Sequence, residues 1–540
     1  MTDNAGAPQD QVPATPSRLA RDAGIVGLAT VLSRVMGFVR DILIARALGA
    51  GPVADAFLIA FRLPNMFRRV LGEGGLNAPF VPVYLDLKSG QGDDEARRFA
   101  GEAVGNSAAV LLIVVALAEL MTPWLVLGLA GGFKDAPLTY QLAQSYTRLA
   151  LPFIGFTVMA SLLAAILNAE KRFAIAALAP ISLNVVVISA LLWAEWHGQS
   201  AFSTARTLVW SVSVAGALHL LLVFWALGWK KPGIPRFRLG WSAPMRRLVT
   251  LGVPALLASA TSQFVLLVAT QIASAQAGAV SWLYYADRVF QLPLGFVAVA
   301  MGVVLLPEIA AREAAHDEAG RRRTVDSALA VGLLLALPAA TALHVLAEPI
   351  VAVLFERGKF GPVDRDRTAA ALAAFALGLP GAVIAKVLSQ VYFARQKPLL
   401  PLSIGAVSVA VAAVAGVLLA DSMPATGAAL AAAMAAVLAF WTQSVLLATV
   451  LMKDRLWHPS QALLRSVLAT CAAAALMAAL LIWLGAGMRA RVIGHASGWP
   501  EFMWLFALCG AGLTLYGAAA WAFGAIRPGW LIRHSAEKPA

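Results

Sequence analysis

Residues 33–75 gather charged side chains inside two apolar, helix-length segments, and five or more of those charges are arginines. The first segment reads Ser33-Arg34-Val-Met-Gly37-Phe38-Val-Arg40-Asp41. The second runs from Asp55 through Arg62, Asn65, Arg68 and Arg69 to Glu73. A charged side chain at mid-bilayer costs roughly 2.5–3.5 kcal/mol, so such residues face a bundle interior or a wet cavity. Ser33 and Arg40 lie seven residues apart on one helical stripe, Arg34 and Asp41 on the next, and together they make one polar face. Asp55, Arg62 and Arg69 share a stripe of the second segment, with Glu73 one turn beyond. A third segment, Trp282–Pro293, contains the adjacent pair Asp287 and Arg288. Guanidinium groups in excess over carboxylates call for a bidentate anionic partner such as phosphate or carboxylate. The competing assignment is a set of structural ion pairs: Arg34 with Asp41, Arg62 with Asp55, Arg288 with Asp287. Lys386 is the second-half counterpart, with snorkelling as its alternative.

The elements that must position these groups are membrane helices. The 540-residue chain is 60% hydrophobic and 13% charged, against about 25% charged in a soluble domain, which places it among polytopic membrane proteins. About fourteen spans of 20 or more residues are expected, near 23–47, 53–83, 102–129, 140–167, 173–196, 206–229, 247–276, 279–310, 326–347, 368–394, 399–420, 425–451, 463–486 and 501–526. The second is too long for one regular crossing, and Pro64, Gly72, Gly74 and Gly75 are its expected kinks or breaks.

Basic residues concentrate in alternate loops. One side receives Lys88, Arg97, Arg98, Lys171, Arg172, Lys230, Lys231 and Arg321–Arg323 among others, which puts both termini in the cytoplasm. The net charge of +13 is therefore assigned to membrane orientation and anionic lipid, not to nucleic acid. Residues 1–22 and 527–540 read as cytoplasmic tails, the first without a signal peptide.

An internal repeat divides the chain. Asp94-Glu-Ala-Arg97-Arg98 resembles Asp317-Glu-Ala-Gly-Arg321-Arg322, Pro82 answers Pro307 225 residues on, and 168–172 falls on 393–397 at the same offset. The expectation is an all-α protein with two six-helix lobes, 23–229 and 247–451, joined by the basic linker 230–246. Six spans per lobe give both the same orientation, so they are related by a pseudo-twofold along the membrane normal. Two extra helices occupy 452–526.

Other chemistry is missing from the sequence. Cys471 and Cys509 make no metal spacing, His219 and His344 stand alone, and no Walker loop or nucleophile elbow occurs. The outer loop 348–367 supplies Glu356, Asp364 and Asp366 without a catalytic constellation. The expectation is a non-enzymatic transporter without a cofactor or ATP site, driven by membrane potential or an ion gradient.

The stretches SRVMGFVRD (33–41), ADAFLIAFRLPNMFRRVLGEG (54–74), APFVPV (78–83), SWLYYADRVFQLPLG (281–295), LLPEI (305–309), LFERGKF (354–360) and KVLSQVYFARQKP (386–398) resemble those of the MurJ (MviN) family, lipid II flippases of the MOP transporter superfamily. The resemblance implies transfer of lipid II, an undecaprenyl-diphosphate-linked disaccharide-peptide, from the inner to the outer leaflet of a bacterial cytoplasmic membrane by alternating access. It implies cavity arginines at Arg34, Arg40 and Arg288, with Ser33, Asp55, Arg68 and Glu73 also functional, and a lipid-tail groove in the last two spans. Arg62, Asn65 and Asp287 complete the substrate-binding candidates. Gly72 and Gly75 stand around Glu73 where the family usually has alanine, which implies a deeper local break. Membrane lipids and the cell-wall synthesis machinery are the expected partners. Alternatives are a flippase for another polyprenyl-linked glycan, a MATE-like multidrug exporter, or a membrane-embedded glycosyltransferase or scaffold.

Overall fold

The computed structural model describes residues 16–68, 77–229, 233–302, 305–423, 427–492 and 498–526, and these are almost wholly helical. The first lobe comprises α1 (Pro16–Leu48), α2 (Pro52–Phe67), α3 (Asn77–Gln91), α4 (Asp93–Leu120), α5 (Thr122–Leu129), α6 (Pro137–Ala150), α7 (Pro152–Ala169), α8 (Phe173–Leu178), α9 (Ile181–Trp196) and α10 (Ala201–Trp229). The second comprises α11 (Ala243–Ala273), α12 (Ala279–Gly302), α13 (Leu305–Ala314), α14 (Glu318–Val345), α15 (Ala347–Phe355), α16 (Pro362–Ala394), α17 (Leu399–Ser422) and α18 (Ala428–Lys453). Two further helices follow, α19 (Gln461–Val492) and α20 (Trp499–Ala522).

Among the described residues, ten helices or helix pairs are long and apolar enough to cross a membrane. The other expected crossings fall on charge-bearing or divided elements. α1 with 33 residues, α11 with 31 and α12 with 24 each exceed a bilayer core in length at 1.5 Å per residue. The second expected span is covered by α2 and α3, and residues 69–76 between them lie outside the described residues. Pro64 does not break it: α2 continues past Pro64 to Phe67. The Asn65 side chain donates to the Phe61 carbonyl at 2.9 Å, satisfying a backbone acceptor where the proline disturbs the helix. Gly72, Gly74 and Gly75 lie outside the described residues.

The repeat is written in the element boundaries. α4 runs from 93 to 120 and α14 from 318 to 345, so both ends are offset by 225 residues. α6 and α16 begin at 137 and 362, and α7 and α16 end at 169 and 394, again 225 apart. Even the left-handed residues after those helices correspond: Lys171 at φ 59° and Gln396 at φ 57°. One difference is local: α16 is continuous where the first lobe divides α6 from α7 at Leu151-Pro152, because Pro152 lacks the N–H that would continue the ladder.

Small residues let the backbones close up. Gly378 and Gly381 of α16 sit against Val437, Phe440 and Trp441 of α18, whose own buried face is largely alanine. α19 packs on α14, and α20 on α19, at the flank of the second lobe. For orientation, the end of the bundle where α1 begins is the near end, and the end where α1 gives way to α2 is the far end.

Candidate functional site

The polar face of α1 meets α12 about seven residues short of the far end, and Asp41 is its hub. Asp41 is 1% exposed. Its Oδ1 accepts from Arg40 Nε and Nη2 at 3.0 and 2.8 Å and from the Tyr284 hydroxyl at 3.2 Å. Its Oδ2 pairs with Arg288 Nε at 3.2 Å. Arg40 completes its fork on the Asn184 side-chain oxygen at 3.0 Å, and its guanidinium lies 5.0 Å from the Phe61 ring centre. Asn184, on α9, donates its other amide end to the Ser33 carbonyl at 2.9 Å. Arg288 stacks 4.6 Å from the Tyr284 ring centre. One carboxylate thus shares two guanidiniums from two lobes, a buried network whose cations retain a net positive charge.

The pairing differs from each ion pair weighed from sequence. Asp41 takes Arg40 and Arg288, not Arg34. Adjacent side chains point 100° apart on a helix, but the Arg40 stem is long enough to curl back onto Asp41. Asp287 takes Gln291, one turn on along α12. Arg62 donates to the Thr270 hydroxyl of α11, while Asp55 is held by the start of α12.

Arg34 stands apart from this network toward the near end. It is exposed, and its guanidinium lies directly over Gly295 of α12, where an added Cβ would meet Nη1 at 2.1 Å. A side chain at this position would displace the guanidinium from its place over α12. Lys386 of α16, also exposed, lies within electrostatic reach of Arg34. Two exposed cations from opposite lobes thus feel each other's charge, an arrangement that an anion nearby would stabilise.

At the far end the lobes are sealed. Asp55, fully buried, accepts from Gly278 N at 2.6 Å, Ser281 N at 2.9 Å and Ser281 Oγ at 2.5 Å. Tyr285 donates to the Gly49 carbonyl at 3.2 Å, and Lys359 N to the Arg46 carbonyl at 2.9 Å. Gly49 holds φ +67°, and a Cβ there would meet the Lys359 carbonyl at 2.4 Å. Gly131 N and Gly132 N donate to Gln271 and Ser274 at 2.9 Å each.

The remaining candidates distribute as follows. Arg68 caps α2 and lies within electrostatic reach of buried His219 on α10. Asn65 serves its own helix, as described above. Ser33 enters through its carbonyl. Glu73 and Arg69 lie outside the described residues. His344 is exposed, with its Nδ1 within hydrogen-bond distance of the Ala373 carbonyl at 2.9 Å. Of the acidic residues of 348–367, Glu356 and Asp366 pair with buried Arg365 at 3.2 and 2.8 Å, while Asp364 accepts from the Trp282 indole at 2.9 Å and from Gly361 N at 3.0 Å. Among the described residues no metal-binding group of His, Cys, Asp or Glu forms. Residues that sequence reasoning missed are Asn184, Thr270, Ser281 and Tyr284. Asn184 is the one amide side chain in the apolar span 173–196, a signal that could have found it.

The profile of the family described as "Lipid II flippase MurJ" matches residues 44–494. A probable lipid II flippase MurJ of Rhizobium meliloti (strain 1021) is 37% identical, over 97% of this chain and 97% of its own. The lipid II flippase MurJ of Burkholderia cenocepacia is 32% identical over 92% and 95%. Among solved structures, a lipid II flippase MurJ in an inward closed conformation matches with a TM-score of 0.73 at 22% identity, covering 92% of this chain and 98% of that one. An inward-facing multidrug resistance MATE transporter of the MOP superfamily matches at 0.64 and 15%, covering 78% and 95%. At those identities the two structures bear on the fold alone.

Proposed function

The chain belongs to the lipid II flippase MurJ family, and on that premise we propose that it carries lipid II from the inner to the outer leaflet of a cytoplasmic membrane. It is a multi-pass membrane protein of a transporter family. The loop charges support termini in the cytoplasm, which makes the near end cytoplasmic and the sealed far end external. In this arrangement the substrate enters from the near end, the Asp41 network and the Asp55 seal open, and release occurs at the far end.

The observation that carries the reading is the Asp41 carboxylate shared by Arg40 and Arg288, one from each lobe, with Arg34 of α1 reaching over Gly295 of α12 toward the near end. Lipid II presents a diphosphate and peptide carboxylates. Unaided crossing desolvates several charges, and guanidinium partners replace part of the lost hydration. A cationic drug would instead select free carboxylates, and both Asp41 and Asp55 are already occupied by donors of the protein. The apolar outer faces of α19 and α20 fit a groove for the polyprenyl tail. Cycling draws on the membrane potential or an ion gradient, with enzymes of cell-wall synthesis supplying and consuming the substrate.

The test is depletion of the protein in spheroplasts, followed by locating lipid II with a probe that reads only the external face. Lipid II retained on the cytoplasmic face is expected. Undiminished translocation in cells without a second flippase would reject the reading.

A further inference from the structure

The two lobes carry one ion pair at equivalent positions with its polarity reversed. In the first lobe Lys88, in the last turn of α3, places Nζ 2.6 and 2.7 Å from the two carboxylate oxygens of Glu170, just past α7. In the second, Glu313, in the last turn of α13, pairs with Arg395, just past α16, at 3.2 Å. The step from 88 to 313 and the step from 170 to 395 are both the 225-residue offset of the helix boundaries. A cation on α3 thus answers an anion on α13, and an anion past α7 answers a cation past α16. The four side chains are partly exposed, between 16% and 33%.

Parallel repeats that face each other across an axis bring equivalent positions into opposition. The far end already displays this. Asp55 has Val280 as its equivalent, and it bonds to Gly278 and Ser281 on either side of that position. Were the two near-end pairs of the same polarity, bringing the near ends together would set like charges against each other. With polarity reversed, Lys88 comes opposite Glu313, and Glu170 opposite Arg395.

We infer that these four residues form a partner-exchanging latch at the near end. In the far-end-sealed arrangement the charges pair within each lobe. When the near ends close they re-pair between lobes, as Lys88–Glu313 and Glu170–Arg395. Each state pairs all four charges, so the exchange sets the register of closure and penalises misaligned closure. Three neighbours stay with their own lobes: the Tyr84 hydroxyl on Glu170 at 2.9 Å, Asp93 beside Lys88 at 3.6 Å, and Arg321 on Glu313 at 2.6 Å. A fourth, the exposed Asp86 of α3, already pairs across the lobes with Arg247 of α11 at 3.0 Å, outside the four-residue exchange. The latch rests on the alternating-access reading above, and its test therefore reads closure directly, apart from lipid transport.

In full-length protein with Cys471 and Cys509 replaced by serine, the exposed positions Ser89→Cys and Ala314→Cys, themselves equivalent, report approach of the near ends to a short bis-thiol cross-linker. Cross-linking is expected in membranes when the natural charges are present. The exchange K88E/E170K preserves the pair within the first lobe but sets Glu against Glu313 and Lys against Arg395, so the cross-linked fraction should fall about tenfold. K88R should leave it unchanged. Should the exchanged variant fail to accumulate, K88Q/E170Q serves in its place, with a smaller drop expected. Equal cross-linking in natural and exchanged chains would overturn the latch, as would no cross-linking in a chain that still flips lipid II. Loss of flipping with normal, charge-dependent cross-linking would instead leave the latch standing and reject the transport reading.

Discussion

Asp41 and Arg288 form an ion pair 3.2 Å long that joins α1 of one lobe to α12 of the other. Because Arg40 holds the same carboxylate from within α1, Asp41 keeps one partner however the lobes move. Arg288 does not. Opening the far end must draw it away from Asp41, and in a low-dielectric setting it then needs another anion. A substrate diphosphate meets that need at the moment the lobes separate. Arg288→Ala is expected to abolish complementation of a depleted strain while the protein still accumulates. Arg288→Lys keeps the charge but not the fork, and should rescue in part. Full complementation by the alanine variant would remove Arg288 from the site.

Arg34 and Arg40 share a helix and divide the work. Arg40 is buried on Asp41, Asn184 and Phe61, so Arg40→Ala strips a buried carboxylate of a partner and should cost about 3 kcal/mol of stability. The expected readout is a lower unfolding midpoint in detergent and less protein in the membrane. Arg34→Ala removes only an exposed contact over Gly295 and should unfold normally, with lipid II binding weakened instead. Equal stability losses in the two variants would contradict this division.

The far-end seal can be loosened without touching any arginine. Gly49→Ala drives a Cβ into the Lys359 carbonyl and strains a φ of +67°. Asp55→Asn turns an acceptor of three hydrogen bonds into a group with one acceptor oxygen facing those donors. Both should raise labelling of Ser281→Cys by an impermeant maleimide added outside, severalfold over the parent. Unchanged labelling in both would show that the seal does not limit access.

The lobes and the arginine face were legible because they rest on local signals. Hydropathy marks the crossings, and the turn residues at Lys171 and Gln396 mark the repeat to the residue. The pairing was not legible, since it depends on which helices touch. Nothing near Asn184 in sequence marks it as the partner of Arg40, 144 residues away. Tyr284 could be seen as a polar-tipped aromatic, but its hold on Asp41 follows only once α12 crosses α1. The aligned segments 168–172 and 393–397 already contained Glu170 and Arg395, yet their reversed charges gain meaning only when Lys88 and Glu313 are found beside them.

The connection between the lobes is fastened to the first of them. Residues 233–242 run along α4, where Gly101 and Gly105 present a bare stripe: an added Cβ would meet the Arg236 carbonyl at 2.3 Å and the Arg238 carbonyl at 2.2 Å. Arg238 N donates to the Gly101 carbonyl at 3.2 Å, Asn106 Nδ2 to the Gly240 carbonyl at 2.6 Å, and Ser242 Oγ to Glu102 at 2.5 Å. Ser242 also caps α11, so the strap ends where the second lobe begins, and relative motion of the lobes must be absorbed there. The clashes fall on backbone carbonyls, which no side-chain rotation relieves, so overpacking of roughly 1–3 kcal/mol is expected. Gly101→Ala and Gly105→Ala should therefore lift the strap off α4 and speed tryptic cleavage after Arg236 and Arg238 several-fold. Cutting elsewhere should hold at the parent rate. Cleavage of the strap at the parent rate in both variants would mean that its packing on α4 does not hold it.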